Sequence, residues 1–104
     1  MKIQLEKFGN TLTSRPAGKD AYAGFLSVIN GVKDEELVEV DFTGVSSFSP
    51  SWGDEFLSPL LEKFKERLIL INTQNPSVSA TIETLEENSG NKFQVRSPFP
   101  FSPF

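Results

Sequence analysis

The chain has 104 residues with no Cys and no His, and its 14 acidic and 10 basic residues give a formal net charge of −4 at pH 7. The two missing residue types exclude a Ser-His-Asp or Cys-His triad, a Cys/His zinc site and a disulfide scaffold within the chain. The length fits one domain, and the mild acidity argues against a nucleic-acid partner, which would call for a basic patch.

The N-terminal part predicts a strand and then a helix. Apolar and polar residues alternate over residues 1–8, which favours a half-buried strand at the edge of a sheet. Ser14 is the predicted cap of a helix with Pro16 in its first turn, and Gly31 is expected to end that helix in a left-handed conformation. Two small residues would let this helix lie close to a sheet: Gly18 and Gly24.

Two apolar runs predict central strands that are covered on both faces. Residues 37–42 are apolar apart from Glu39 and Asp41, and residues 68–71 contain no polar side chain. Residues 46–50 between the runs predict a loop. Functional loops of alternating α/β folds lie at the carboxyl ends of the strands, so residues 43–51 and 72–75 are the candidate loops.

A second helix follows the first candidate loop. Ser51 is a plausible N-cap, and Asp54 three residues later completes a capping-box pattern. Trp52 begins a wide apolar stripe, and its spacing favours core packing over the alternative of an exposed partner-binding anchor. Pro59 predicts a kink near residues 56–58, or else a new helix that starts at Ser58.

The C-terminal part predicts a third helix, a short strand and a tail. Asn75 and Pro76 supply a cap and a first-turn proline, and Phe93 and Val95 fit a short strand. The fold class is therefore α/β, a β-α-β-α-β-α(-β) order with a mostly parallel sheet of about four strands. Residues 1–96 form the predicted domain, and residues 97–104 form a Pro/Phe-rich tail that we expect to fold back on the domain or dock on a dimer mate, with a disordered tail as the alternative.

Residues 40–45, Phe48 and residues 51–56 together resemble the signature of a STAS-like domain family of unknown function. That family is similar to the STAS domains of anti-sigma factor antagonists, in which a kinase-type anti-sigma factor phosphorylates a serine at the start of the second helix. The resemblance implies a non-catalytic regulatory module with a protein partner, such as a histidine-kinase-type ATPase or an anti-sigma-like kinase. Three residues carry the fold signature: Asp41, Thr43 and Gly53.

The resemblance also implies a site. The predicted partner-binding or phospho-switch loop contains Ser46, Ser47, Ser49, Ser51, Asp54 and Glu55. The usual Asp-Ser-Ser-Gly is absent, so Pro50 occupies the position closest to the phospho-acceptor, and either Ser49 or Ser51 would take its place. The alternative is that Ser51 has only a structural role, as the N-cap of the helix.

Other functions remain open at this level. Asp41, Asp54 and Glu55 would suit Mg²⁺, although a strand-ending Asp41 bonded to loop amides and a capping Asp54 are favoured. An enzyme using Asp41 would lack a base of suitable pKa, and a structural protein would use the aromatic tail to oligomerise. We expect no cofactor and no metal. Without an apolar signal segment or a membrane-length apolar run, we expect a cytoplasmic protein.

Overall fold

The computed structural model describes residues 1–96, and the predicted tail of residues 97–104 lies outside the described residues. Strands and helices alternate in the following order: β1 (Lys2–Gln4), β2 (Thr11–Leu12), α1 (Arg15–Asn30), β3 (Val38–Asp41), β4 (Ser47–Phe48), α2 (Pro50–Phe64), β5 (Leu68–Ile71), α3 (Pro76–Ser89) and β6 (Gln94–Val95). Short 3₁₀ helices cover Leu5–Phe8 and Lys65–Arg67.

The main sheet has four strands in the order β1-β3-β5-β6, and every neighbouring pair is parallel. This arrangement confirms the predicted α/β fold with a mostly parallel sheet. The predicted first strand is too long, because Gln4 pairs with Asp41, the last residue of β3, and no ladder partner continues beyond it. A small parallel pair of β2 and β4 was not predicted, since its two-residue strands carry no periodic pattern.

Only one face of the main sheet packs fully against the helices. Ile3, Val40 and Leu70 are in register across the sheet and belong to the core. On the other face Ile69 and Ile71 stay half-buried, so the prediction that the central strands are covered on both faces is wrong for residues 1–96. A continuous apolar run marks a central strand, but it does not say whether a second layer covers it.

The ends of α1 and α3 follow the predicted capping chemistry with one exception. The Ser14 hydroxyl accepts a hydrogen bond from the Ala17 N–H at 3.1 Å, and the Asn75 side chain accepts one from the Ser77 N–H at 2.8 Å. Gly31 is not left-handed, because its φ is −86° and its N–H donates to Val28 at 3.1 Å. The last turn of α1 therefore tightens into i→i+3 bonds instead of reversing through a glycine.

The start of α2 differs from the prediction. Ser49, not Ser51, is the N-cap, and Pro50 takes the first helical position, where a missing N–H costs nothing. Asp54 therefore closes no capping box. The helix runs through Pro59 to Phe64 as one element, so the alternative of a separate helix starting at Ser58 is wrong.

The helices α1 and α2 pack closely around a cluster of aromatic rings. A Cβ at Gly18 would lie 2.7 Å from the carbonyl oxygen of Trp52, so Gly18 brings α1 against α2 and not against the sheet. Gly24 has open space around it and serves no close packing. Trp52 is 1% exposed and stacks on Phe56 with ring centroids 4.9 Å apart, which confirms its predicted place in the core.

Candidate functional site

Asp41 ends β3 at the carboxyl edge of the sheet and ties two loops together. One carboxylate oxygen, Oδ1, accepts hydrogen bonds from the Thr43 N–H at 2.9 Å, the Thr43 hydroxyl at 2.7 Å and the Asn72 amide at 2.8 Å. The other oxygen, Oδ2, lies 3.5 Å from the Lys2 ammonium. These contacts confirm the expectation that Asp41 ends its strand by bonding loop amides.

The environment of Asp41 stabilises its charged form. Burial by itself would raise the pKa of Asp41, but the hydrogen bonds from Asn72 and Thr43 and the charge of Lys2 outweigh it and hold this pKa below its ordinary value. Sequence reasoning identified the loop of residues 72–75 but not Asn72 as the partner of Asp41. The sequence feature that could have identified Asn72 is its position directly after a central strand. Asn tolerates a positive φ, and φ is 58° at this residue.

The loop after β3 is held at both ends. Gly44 takes a φ of +85°, and the side chain of Glu6 packs so closely on it that a Cβ would collide with a carboxylate oxygen. The Ser46 N–H donates to the Asn10 carbonyl at 2.7 Å, and the Ser46 carbonyl accepts from the Asn75 amide at 3.2 Å. Ser46 itself is exposed. The predicted loop is thus partly a strand, because Ser47 pairs with Thr11.

The two candidate phospho-acceptors have different surroundings. The Ser49 hydroxyl donates to the Thr13 carbonyl at 2.7 Å and accepts from the Trp52 N–H at 3.4 Å. Ser51 lies in the first turn of α2, half-buried, and its hydroxyl forms no hydrogen bond with any of residues 1–96. A structural role therefore occupies the hydroxyl of Ser49 and leaves that of Ser51 available.

A basic residue outside the predicted site joins two of its members. Nη1 of Arg15 lies 2.9 Å from a carboxylate oxygen of Asp54 and 2.9 Å from one of Glu55. The side chains of Arg15, Asp54 and Glu55 are 52%, 50% and 28% exposed, so solvent screens these ion pairs. Hydrogen bonding to Arg15, with help from Ser58, lowers the pKa of Asp54. We call this trio the Arg15 clasp.

Gly53, the third signature residue, has a packing role. A Cβ there would lie 3.0 Å from Leu85 of α3 and 3.1 Å from the ring of Phe48. A glycine at this position therefore lets α2 approach both α3 and β4. Arg15 is not among the site residues predicted from the sequence, because its partners lie about 40 positions away in the chain.

The structure separates the three carboxylates that the sequence offered as a Mg²⁺ site. Asp41 is bonded to Thr43 and Asn72, whereas Asp54 and Glu55 face Arg15. Within residues 1–96 no three acidic side chains come together in a way that could hold a metal ion.

No helix in the described part of the chain has the length and apolarity that crossing a bilayer requires.

Comparison with known proteins bears on the fold signature. A family model described as a STAS-like domain of unknown function matches residues 25–78, just over half of the chain. The matched segment runs from the middle of α1 to the start of α3 and includes Asp41, Ser51 and Gly53, while Arg15 lies before it. Searches of curated proteins and of solved structures gave no match. The chain belongs to the family of STAS-like domains of unknown function.

Proposed function

We propose that this chain is a non-catalytic regulatory module whose binding to a protein partner is switched by phosphorylation of Ser51. The partner class is a kinase-type ATPase, as the resemblance to anti-sigma factor antagonists implies. One observation carries the proposal: the Ser51 hydroxyl stands half-buried at the start of α2 without a hydrogen bond to residues 1–96, beside acidic groups on the surface.

The choice of Ser51 over Ser49 rests on the cost of modification. A phosphate on Ser49 would remove the proton that this hydroxyl donates to Thr13 and would disturb the cap of α2. Loss of an N-cap costs about 1 kcal/mol, because the Trp52 N–H that donates to the cap loses its acceptor. Modification of Ser51 breaks no such bond, so the domain stays folded in both states and the change is confined to its surface.

The covalent step is an ordinary phosphoryl transfer. The Ser51 Oγ forms a bond to the γ-phosphorus of ATP as the bond between that phosphorus and the bridging oxygen of ADP breaks. The hydroxyl proton passes to the kinase, and ADP leaves. The product carries about −1.5 to −2 charges at neutral pH, on the part of α2 that already holds Asp54 and Glu55.

The chemistry of Asp41 supports a role without catalysis. A carboxylate whose pKa is held below its ordinary value is a weak general base near neutral pH. Its accepting oxygen Oδ1 is occupied by Thr43 and Asn72, so Asp41 fixes the loop that precedes α2. The binding surface would then be the exposed part of that loop, with Ser46, and the first two turns of α2.

The test uses phosphosite mapping followed by binding. The purified chain is incubated with ATP and an extract of its host, phosphorylated residues are identified by mass spectrometry, and the co-purifying ATPase is isolated. We expect phosphate on Ser51, none in Ser51→Ala, and at least a tenfold change in affinity for the isolated ATPase with Ser51→Asp. Ser27→Asp is the matched control, because Ser27 is an exposed serine on α1.

Two results would contradict the proposal. One is phosphate on Ser49 or elsewhere with Ser51 unmodified. The other is an ATPase affinity that Ser51→Asp and Ser27→Asp change equally, because the effect would then come from net charge and not from the position of Ser51.

A further inference from the structure

We propose that Arg15 responds to phosphorylation of Ser51. When Ser51 carries a phosphate, Arg15 leaves Asp54 and Glu55 and binds the phosphate. This inference rests on the proposed function, since it assigns the structural response of the same site. It concerns Arg15, which lies outside the matched family segment and outside the predicted site.

The first argument is the position of Ser51 on α2. Successive residues of an α-helix are rotated by about 100°, so a residue at i falls between those at i+3 and i+4 when viewed down the axis. Ser51 therefore lies between Asp54 and Glu55 in projection, about 4.5–6 Å further toward the start of α2. Arg15 bridges these two carboxylates and thus spans the strip of surface that begins at Ser51.

The second argument is the set of donors that Arg15 leaves unused. Both of its ion-pair contacts are made by Nη1. A guanidinium carries five N–H donors in a planar fork that matches two phosphate oxygens at once. The current arrangement uses one nitrogen for two acceptors, so a phosphate offers Arg15 better geometry than either carboxylate gives it.

The third argument is charge. Asp54 and Glu55 contribute two negative charges, and a phosphate on Ser51 adds about −1.5 to −2 more on the same strip. The phosphate is the denser anion, so the guanidinium moves toward it, and Asp54 and Glu55 are released to solvent. The partner then meets a different surface: an Arg–phosphate pair at the start of α2 and two unpaired carboxylates one turn later.

The test needs neither kinase nor partner. Phosphoserine is incorporated biosynthetically at position 51 of the full chain, and the second phosphate pKa is measured by ³¹P NMR titration in low salt. We expect a phosphate pKa at least about half a unit lower in the wild-type background than with Arg15→Gln, because a bound cation favours the dianion. We also expect the pKa of the Asp54 carboxyl, followed by ¹³C-detected NMR, to rise on phosphorylation, since Arg15 no longer lowers it and the nearby phosphate repels a second negative charge.

Two controls separate the clasp from general charge effects. Lys19→Gln removes a positive charge one turn further along α1 and should leave the phosphate pKa within about 0.2 units of the wild-type background. Phosphoserine incorporated at position 27 should titrate the same with and without Arg15→Gln. A phosphate pKa at position 51 that Arg15→Gln does not change, or that Lys19→Gln changes equally, would overturn the inference.

The experiments also distinguish failure of this inference from failure of the proposed function. A phosphate pKa that depends on Arg15, without any partner that distinguishes Ser51→Asp, would sink the proposed function and keep the role of Arg15. A partner that responds to Ser51 phosphorylation, with a phosphate pKa independent of Arg15, would do the reverse.

Discussion

The close approach of α1 to α2 predicts opposite effects for one substitution at two glycines of the same helix. Gly→Ala inside a helix gains about 0.8–1.0 kcal/mol of intrinsic propensity. Gly24 has nothing within 4 Å of the position its Cβ would take, so Gly24→Ala should stabilise the protein by roughly that amount. At Gly18 the same methyl group would lie 2.7 Å from the carbonyl oxygen and 3.0 Å from the Cα of Trp52.

The contact at Gly18 involves backbone atoms, which cannot rotate away as a side chain would. Relief requires α1 and α2 to separate, and Trp52, stacked on Phe56 at the centre of the aromatic cluster, would have to move with its helix. Overpacking costs about 1–3 kcal/mol, and a contact of 2.7 Å with backbone atoms belongs in the upper part of that range, about 2–3 kcal/mol, which more than offsets the propensity gain. We therefore expect Gly18→Ala to lower the free energy of unfolding by roughly 1–2 kcal/mol.

Urea denaturation followed by Trp52 fluorescence measures both effects, because Trp52 is the single tryptophan and is buried. The two variants should have equal m-values and midpoints displaced in opposite directions from the wild type. A Gly18→Ala variant as stable as Gly24→Ala would refute the reasoning, since it would mean that the two helices do not touch at this position. The near-UV circular dichroism signal reports on the packing around the aromatic side chains, including Trp52, and it should change only in Gly18→Ala.

Three further predictions concern hydrogen bonds. Ser49→Ala should lower the free energy of unfolding by about 1 kcal/mol through loss of the α2 cap. Ser51→Ala should leave that free energy within about 0.5 kcal/mol of the wild-type value. Equal losses in the two variants would argue against Ser49 as the cap. Thr81→Val should lower the free energy of unfolding by about 1 kcal/mol in urea denaturation, because the buried Thr81 hydroxyl donates to the Phe48 carbonyl at 2.6 Å. An unchanged free energy of unfolding would contradict this hydrogen bond. Asp41 has a folded pKa below its unfolded value, so its contribution is present above about pH 4 and is lost as the pH falls through the folded pKa. Asp41→Asn should therefore cost about 1.5–3 kcal/mol at pH 7 and much less near pH 2, and a cost independent of pH would count against the charged acceptor.

Much of the fold was predictable because it depends on local rules. Ser14 and Asn75 cap their helices as predicted, since capping involves neighbouring residues only. The parallel sheet follows from the alternation of strands and helices, which leaves few other ways to bury each apolar face. The prediction of the cap at Ser51 was wrong because two serines flank Pro50, and proline favours the first helical position, which makes Ser49, the residue before it, the cap.

The candidate site was predictable only in part. Asp41 was recognised as a strand end, and its hydrogen bond to Thr43 spans two positions, so a local pattern could reveal it. Asn72 and Arg15 were not assigned as partners, because each meets its acceptor across more than 30 positions of the chain. No spacing rule reaches over such a distance, and a single sequence offers no other signal for it.

The sequence by itself determined which kinds of site the chain cannot form without Cys and His, the order of the main-sheet strands and the helices, and the family signature around Asp41 and Gly53. These depend on residue types and on periodicities of a few positions, which the chain carries wherever it folds. The tertiary structure alone decided which serine keeps a free hydroxyl, which glycine touches a neighbouring helix and which cation faces Asp54 and Glu55. Each of these depends on how α1 and α2 are docked, and docking follows from packing over the whole core, not from any local segment.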